Sequence, residues 1–197
     1  MGEPADNAHA VVRAVDRLTA QDFFGLKASR ITVSTVGPSP TAFETLSKAN
    51  CALAWSVHAV DDALRKRLVP TTRYPMSELR GAFIAALRDR RVKTCMLEVA
   101  LIKGVNDSID HAMALSDFAR GIVDAVPSAK LMVNLIPYND IGYGYETPDV
   151  QTVWDFQNVV HRNIGNNNIF VHARTTRGDD KSAACGQLAT TLSKGLT

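Results

Sequence analysis

Cysteine and long apolar runs are scarce in this sequence, and each scarcity excludes a class of protein. The chain of 197 residues has three cysteines, Cys51, Cys95 and Cys185. Their odd number and wide spacing exclude a disulfide framework and are typical of free thiols in a reducing compartment. No apolar run approaches the roughly 18 residues that a membrane-spanning helix needs, and the start lacks the basic and apolar run of a signal peptide. We therefore expect a soluble, cytoplasmic protein, with an organelle left open.

A strong charge of one sign is also absent. The chain has 22 Lys and Arg against 20 Asp and Glu, which gives a formal net charge of +2. That balance permits an RNA partner but does not indicate one, because nucleic-acid-binding proteins usually carry a clearer basic face. The length and the hydrophobic content of 46% predict one globular domain with a substantial core.

Strands alternate with helices along the chain, which predicts an α/β fold with a parallel sheet and right-handed crossovers. Runs rich in β-branched and apolar residues predict strands over 30–36, 51–58, 94–102, 130–136 and 169–173. Apolar residues at helical spacing predict helices over 8–19, 41–48, 61–68, 77–90 and 150–163, and a further one that is capped at 106–108 and runs to about 125.

Polar residues fall where several of these strands end. They are Ser34, the triplet Ser56, Val57 and His58, and Asn139. Because active sites of parallel α/β proteins lie at the carboxyl ends of the strands, these positions predict a ligand site. The alternative for each residue is that it only meets solvent or caps a helix. No Cys or His neighbours accompany His58 in a metal-binding spacing, so we assign no metal ligand.

The segment 174–188 surrounds one cysteine with small and charged residues. Arg174, Arg177 and Lys181 would lower the pKa of the Cys185 thiol, although two neighbouring aspartates oppose them. A reactive thiol is therefore one interpretation of this segment. A buried structural cysteine in a corner of small residues is the alternative.

The same segment, which ends in Ala183-Ala184-Cys185-Gly186-Gln187-Leu188, resembles the C-terminal signature of the radical S-adenosylmethionine (radical SAM) RNA methyltransferases that methylate adenine C2 or C8, the RlmN/Cfr family. The resemblance covers residues 1–188, starting at the Gly-Glu-Pro motif, but only the C-terminal part of the family's length. It implies that residues 1–197 are the C-terminal portion of a radical SAM core domain, with the methyl-carrying cysteine loop at about 174–188. The implied α/β fold is a partial radical SAM (β/α)6 barrel that lacks its first strands.

The resemblance also implies roles for individual residues. Cys185 matches the family's catalytic cysteine, which carries the methyl group as an S-methylcysteine intermediate. The positions that match the family's S-adenosylmethionine ligands are Gly2, Glu3, Ser34, Ser56, Val57, His58 and Asn139. Glu3 has an alternative interpretation as an acidic residue that favours a helix N-terminus.

The implied activity is S-adenosylmethionine-dependent radical methylation of adenine C2 in large-subunit rRNA. Transfer RNA stays open as a second substrate, and nothing in the sequence excludes C8 chemistry. In the family, one S-adenosylmethionine methylates the cysteine and a second is cleaved at a [4Fe–4S] cluster to start the radical reaction. A [4Fe–4S] cluster and S-adenosyl-L-methionine are therefore the expected cofactors.

The family's cluster-binding motif, Cys-x-x-x-Cys-x-x-Cys, has no counterpart in this sequence. The three cysteines are too far apart for one loop to hold a cluster. We therefore expect the chain to be a fragment whose partner is the missing N-terminal half of the same enzyme. A truncated, non-catalytic remnant that at most binds S-adenosylmethionine or RNA is the alternative, and an unrelated α/β-barrel metabolic enzyme is a third interpretation.

Basic and aromatic residues suggest where RNA could lie. The residues that could contact phosphates are Arg65, Lys66, Arg67, Arg73, Arg174 and Arg177. A solvated helix face explains the first three equally well. Tyr138, Tyr143 and Tyr145 could stack on a base or simply cover the core.

Overall fold

Parallel strands form one sheet in the computed structural model, which describes residues 2–139, 144–165 and 168–174. Its five strands are β1 (Thr32–Thr35), β2 (Ala52–Ser56), β3 (Thr94–Leu101), β4 (Lys130–Pro137) and β5 (Ile169–Ala173). The strands lie side by side in chain order, and each pair is parallel. The predicted α/β class with a parallel sheet is confirmed.

Helices precede and connect these strands. They are α1 (Ala8–Thr19), α2 (Pro40–Leu46), α3 (Asp62–Leu68), α4 (Met76–Asp89), α5 (Ile109–Ala125) and α6 (Val150–Ile164). Most begin after a side chain that accepts a hydrogen bond from the first turn, as Ser39, Asp61, Ser108 and Asp149 do. Within the described ranges, none of the helices has both the length and the apolar character needed to cross a membrane.

The helices cover only one face of the sheet. Successive strand residues point to opposite faces, and the strand residues of the main hydrophobic cluster all have odd numbers: Val33, Leu53, Trp55, Cys95, Leu97, Val99, Leu101, Leu131, Val133, Leu135 and Ile169. Ala52 and Ala54 of β2 are also buried, but they lie on the other face. Right-handed crossovers between strands that are added in one direction place every connecting helix on the same side. The opposite face, called here the open face, is mixed: beside apolar residues such as Ala54, Met96 and Met132 it carries the polar residues Ser34, Ser56, Glu98, Asn134 and His172.

Trp55 anchors the core beneath the ends of β1 and β2. Its ring centroid lies 5.0 Å from that of Phe43, 5.3 Å from that of Phe83 and 5.6 Å from that of Phe118. Its indole N–H donates to the carbonyl of Val36 over 3.1 Å. Such aromatic packing fixes the ring, and the indole in turn fixes the chain just after β1.

Gly37, the next residue, has no room for a side chain. Its φ is +65°, and an added Cβ would lie 2.5 Å from Phe43 Cζ and 2.7 Å from Trp55 Nε1. The left-handed backbone suits glycine, and the close approach of two rings requires it. The chain therefore turns tightly at the carboxyl end of β1.

Gly104 offers a matched control for this position, because its φ is +66° and nothing lies within 4 Å of an added Cβ. We expect Gly104→Ala to lower the free energy of unfolding by about 1 kcal/mol through backbone strain alone. Gly37→Ala should cost about 2 kcal/mol more, because overpacking adds to the strain. Urea unfolding of both variants measures the difference, and equal losses would contradict the packing argument.

Candidate functional site

The predicted ligand residues gather at the carboxyl edge of the sheet. Ser34 lies in β1 and Ser56 ends β2, while His58 and Asn139 lie two residues beyond the ends of β2 and β4. Glu3 reaches the same edge from the short 3-10 turn Pro4–Asn7. Cys185, Arg177 and Tyr143 lie outside the described residues.

Glu3 ties the start of the chain to the end of β1. Its carboxylate accepts hydrogen bonds from the Ala5 N–H over 3.0 Å, the Val36 N–H over 2.9 Å and the Thr35 hydroxyl. The Ala5 bond caps the 3-10 turn, which agrees with the helix-terminus interpretation of this residue. A carboxylate offers roughly four acceptor positions, so these three bonds leave capacity for one further donor. Gly2 beside it is exposed, with no atom within 4 Å of an added Cβ.

Ser34 contacts a residue that the sequence analysis did not single out. Its hydroxyl donates to Glu98 Oε2 over 3.1 Å. Glu98 lies in the middle of β3, in register with Ser56 of β2 and Asn134 of β4. A charged residue within the otherwise apolar run 95–102 was the available signal, since a buried strand normally excludes charge.

The backbone after β2 folds over the edge of β3. The N–H groups of Val57 and His58 both donate to the carbonyl of Glu98, over 2.8 and 3.3 Å. His58 has a φ of +57°, which ends the strand. The Val57 side chain is fully buried in the core, so only its backbone faces the edge.

His58 is held as a neutral imidazole. Its Nδ1 accepts a hydrogen bond from the Ala100 N–H over 3.1 Å, which leaves the ring proton on Nε2. Burial, reinforced by the positive charge of Arg65, lowers the pKa of His58 to about 4. At neutral pH the ring can therefore donate one hydrogen bond from Nε2.

Arg65 is a buried structural residue, so its prediction as a phosphate contact was wrong. Its guanidinium donates to the carbonyls of Val36, Ser56 and Val57 and so joins the ends of β1 and β2. Burial lowers the pKa of Arg65 to about 10, which keeps it charged at neutral pH. No periodic signal in the sequence separates Arg65 from its exposed neighbours Lys66 and Arg67.

The other described residues that are predicted to contact phosphates are exposed, as such a contact requires. They are Lys66, Arg67, Arg73 and Arg174.

Asn106 fixes the loops after β2 and β3. Its side-chain amide donates to the carbonyls of His58 and Ala100, both over 2.7 Å, and its Oδ1 accepts from the Ile102 N–H over 2.7 Å. Asn106 is a candidate helix cap by sequence, but Ser108 is the N-cap of α5. A buried amide that uses three of its hydrogen bonds in this way gives His58 one fixed position.

An open cleft of about 220 Å³ lies above the ends of β2, β3 and β4. Its lining residues are His58, Arg67, Leu68, Ala100, Ile102, Tyr138 and Tyr145. The two tyrosine rings pack edge to face with centroids 5.9 Å apart. Of the predicted S-adenosylmethionine ligands only His58 borders this cleft, whereas Ser34 and Ser56 lie on the open face.

Cys51 and Cys95 lie at the opposite edge of the sheet, buried in the core. Burial raises the pKa of both thiols, that of Cys95 to about 12, although Arg90 opposes the shift. Thiols that stay protonated are poor metal ligands. Across the described ranges, His, Cys, Asp and Glu form no group of three or more that could hold a metal ion.

The contrast between Arg65 and its neighbour Arg67 can be tested. We expect Arg65→Met to lower the free energy of unfolding by about 3 kcal/mol, because buried carbonyls lose their donors. Arg67→Met, at an exposed position of the same helix, should change it by less than about 0.5 kcal/mol. Thermal or urea unfolding compares the two, and similar losses would show that the guanidinium of Arg65 is dispensable.

Known proteins are similar to this chain both in sequence and in structure. No protein family model matches the chain. A protein named dual-specificity RNA methyltransferase RlmN from Ruthia magnifica subsp. Calyptogena magnifica is 41% identical over 192 residues, which cover 96% of this chain and 51% of that protein. One of the same name from Stenotrophomonas maltophilia is 38% identical, over 95% of this chain and 47% of that protein.

Solved structures agree with these relatives. The crystal structure of a radical SAM methyltransferase from Sphaerobacter thermophilus matches with a TM-score of 0.80 and 35% identity, over 95% of this chain and 52% of that one. A domain of pyruvate-formate lyase-activating enzyme from Bacteroides vulgatus, at 14% identity and a TM-score of 0.64, shares the fold alone. The chain spans about half the length of the curated relatives it matches. The resemblance is thus confirmed: over nearly its whole length the chain is similar to proteins named dual-specificity RNA methyltransferase RlmN and to a radical SAM methyltransferase of known structure.

Proposed function

We propose that this chain is the methyl-carrying part of a radical SAM RNA methyltransferase that methylates adenine C2 in large-subunit rRNA, with transfer RNA as a second substrate. The observation that carries the proposal is the 41% identity over 192 residues to a protein named dual-specificity RNA methyltransferase. Such relatives do not favour the alternative of a non-catalytic remnant. The free thiols of Cys51 and Cys95 support a reducing compartment such as the cytoplasm.

The carboxyl edge suits S-adenosylmethionine in its chemistry. The ligand carries an ammonium, a carboxylate, a sulfonium and an adenosine with two ribose hydroxyls. Glu3 has an acceptor position left for the ammonium, and the Ser34 and Ser56 hydroxyls can bind polar groups from the open face. His58 offers its Nε2–H, and Asn139 is exposed at the same edge. When bound, S-adenosylmethionine supplies the methyl group and the source of the radical.

The chain's own residues would hold this ligand with little reorganisation. Arg65 and Asn106 fix the backbone of Ser56, Val57 and His58 from below. Glu3 is fixed by three donors before any ligand arrives. Such preorganised polar groups bind a charged ligand without a further ordering cost.

The described residues do not fit a [4Fe–4S] cluster. Cys51 and Cys95 are buried at the wrong edge, and burial keeps their thiols protonated. The ligands of such a cluster are then expected in an N-terminal part of the enzyme, the partner that the resemblance implies.

Cys185 has the role of methyl carrier in this proposal. Its sequence neighbours Ala184 and Gly186 have small side chains, which would favour close approach of another molecule to the sulfur. Arg177 and Lys181 would favour the thiolate that accepts a methyl group, whereas Asp179 and Asp180 would oppose it.

Binding of S-adenosylmethionine to the 197-residue chain tests the first part of the proposal. We expect isothermal titration calorimetry to detect binding and Glu3→Gln to weaken it about tenfold, because the amide loses the charge that attracts an ammonium. Glu44→Gln, the same change at an exposed position of α2, should leave the affinity unchanged. Absence of binding to the unaltered chain would contradict the proposal.

Mass spectrometry of the protein isolated from its own cells tests the methyl carrier. A mass increase of one methyl group is expected on the peptide that contains Cys185, and Cys185→Ala should abolish it. Cys51 and Cys95 serve as internal controls, because burial raises the pKa of both thiols and disfavours the reactive thiolate. Methylation of either control, or an unmodified Cys185, would contradict the assigned role.

A further inference from the structure

The open face of the sheet holds a carboxylate without a cationic partner. Glu98 is partly buried in the middle of β3. In the part of the chain that the structure describes, the ion pairs are Lys103–Glu146 and Arg120–Asp117, so Glu98 takes part in none. Partial burial of a charge is costly unless an opposite charge or hydrogen bonds compensate it.

The contacts of Glu98 connect it to the proposed S-adenosylmethionine ligands. Its Oε2 accepts from the Ser34 hydroxyl over 3.1 Å. Its main-chain carbonyl accepts from the N–H groups of Val57 and His58. Ser56 is its register partner on β2, where aligned residues of parallel strands point to the same face. Glu98 therefore lies at the level of the ligand residues and on their side of the sheet.

Among the residues that the structure describes, the remaining neighbours of Glu98 on the open face carry no positive charge. Met96 and Ala100 precede and follow it on the same face of β3, and Asn134 is its register partner on β4. Asn134 is buried, and its amide lies 3.9 Å from Met96 Sδ. His172 of β5 is two strands away, at about 10 Å by strand spacing. The single bond from Ser34 leaves most of roughly four acceptor positions open.

We infer that Glu98 is a positioning residue of the S-adenosylmethionine site whose carboxylate attracts the ligand's sulfonium and so favours the charged cofactor over its neutral, demethylated product. The inference rests on the proposed function and deepens it. Glu3 and Glu98 then have different tasks, since the ammonium is common to S-adenosylmethionine and S-adenosylhomocysteine, whereas the sulfonium belongs to the former alone. The negative charge of the Glu98 carboxylate therefore favours binding of S-adenosylmethionine over S-adenosylhomocysteine.

The affinity ratio of these two ligands tests the inference. Calorimetry with both ligands on Glu98→Gln should show a loss for S-adenosylmethionine of about tenfold and a loss for S-adenosylhomocysteine below about twofold. Partial unfolding of the variant would lower both affinities by the same factor, so the ratio reports the charge alone. Glu98→Asp keeps the charge and should retain most of the preference. Glu78→Gln, at an exposed position of α4, should retain all of it.

The outcomes separate the inference from the proposed function. If the unaltered chain binds neither ligand, the proposed function fails and the inference fails with it. If it binds both and Glu98→Gln lowers both affinities equally, or neither, the function stands and the inference is overturned. The inference is supported if the preference for S-adenosylmethionine over S-adenosylhomocysteine is lost in Glu98→Gln and retained in Glu98→Asp.

Discussion

The carboxyl edge of the sheet depends on the buried guanidinium of Arg65. It holds the carbonyls of Val36, Ser56 and Val57 together, although these groups come from the ends of two strands. A strand end leaves carbonyls without ladder partners, and a planar group with five N–H donors can satisfy several of them at once. Arg90 does the same at the amino edge, where it binds the carbonyls of Leu46, Cys51 and Val92. Two buried arginines therefore fix the two edges of one sheet.

The one-sided covering of the sheet explains why a ligand site can form here. All connecting helices pack on the face that carries Leu53, Trp55 and Leu97, so that face becomes the core. The open face is then free to carry Ser34, Ser56 and Glu98, which a two-sided core would exclude. The polar groups that are proposed to bind a charged ligand and the apolar groups that stabilise the fold thus alternate along the same strands.

The sequence predicted the fold closely, because each strand and helix carries its own local signal. The bounds of α1 and β5 are those expected, and the other elements agree within about two residues, since Gly37, Pro70 and the capping residues mark their ends. The positions of the site residues at strand ends were also predictable. The roles of Arg65, Glu98 and Asn106 could not be predicted from the sequence. Each of these side chains has a hydrogen-bond partner more than 25 residues away, and the role of Glu98 also depends on which face of the sheet the helices cover. Periodicity alone does not separate a buried cation from two exposed neighbours.

The carboxylates of Glu3 and Glu98 differ in the number of hydrogen bonds that the protein donates to them, and this difference affects how each could interact with a ligand. Glu3 accepts three hydrogen bonds, two of them from backbone N–H groups, so its charge is largely stabilised by the fold itself. Glu98 accepts one side-chain bond, from Ser34. The charge with fewer fixed donors has more interaction energy left for a ligand. A cationic ligand on the open face would therefore meet more free acceptor positions at Glu98 than at Glu3, and the two carboxylates are proposed to act on different cationic groups of that ligand.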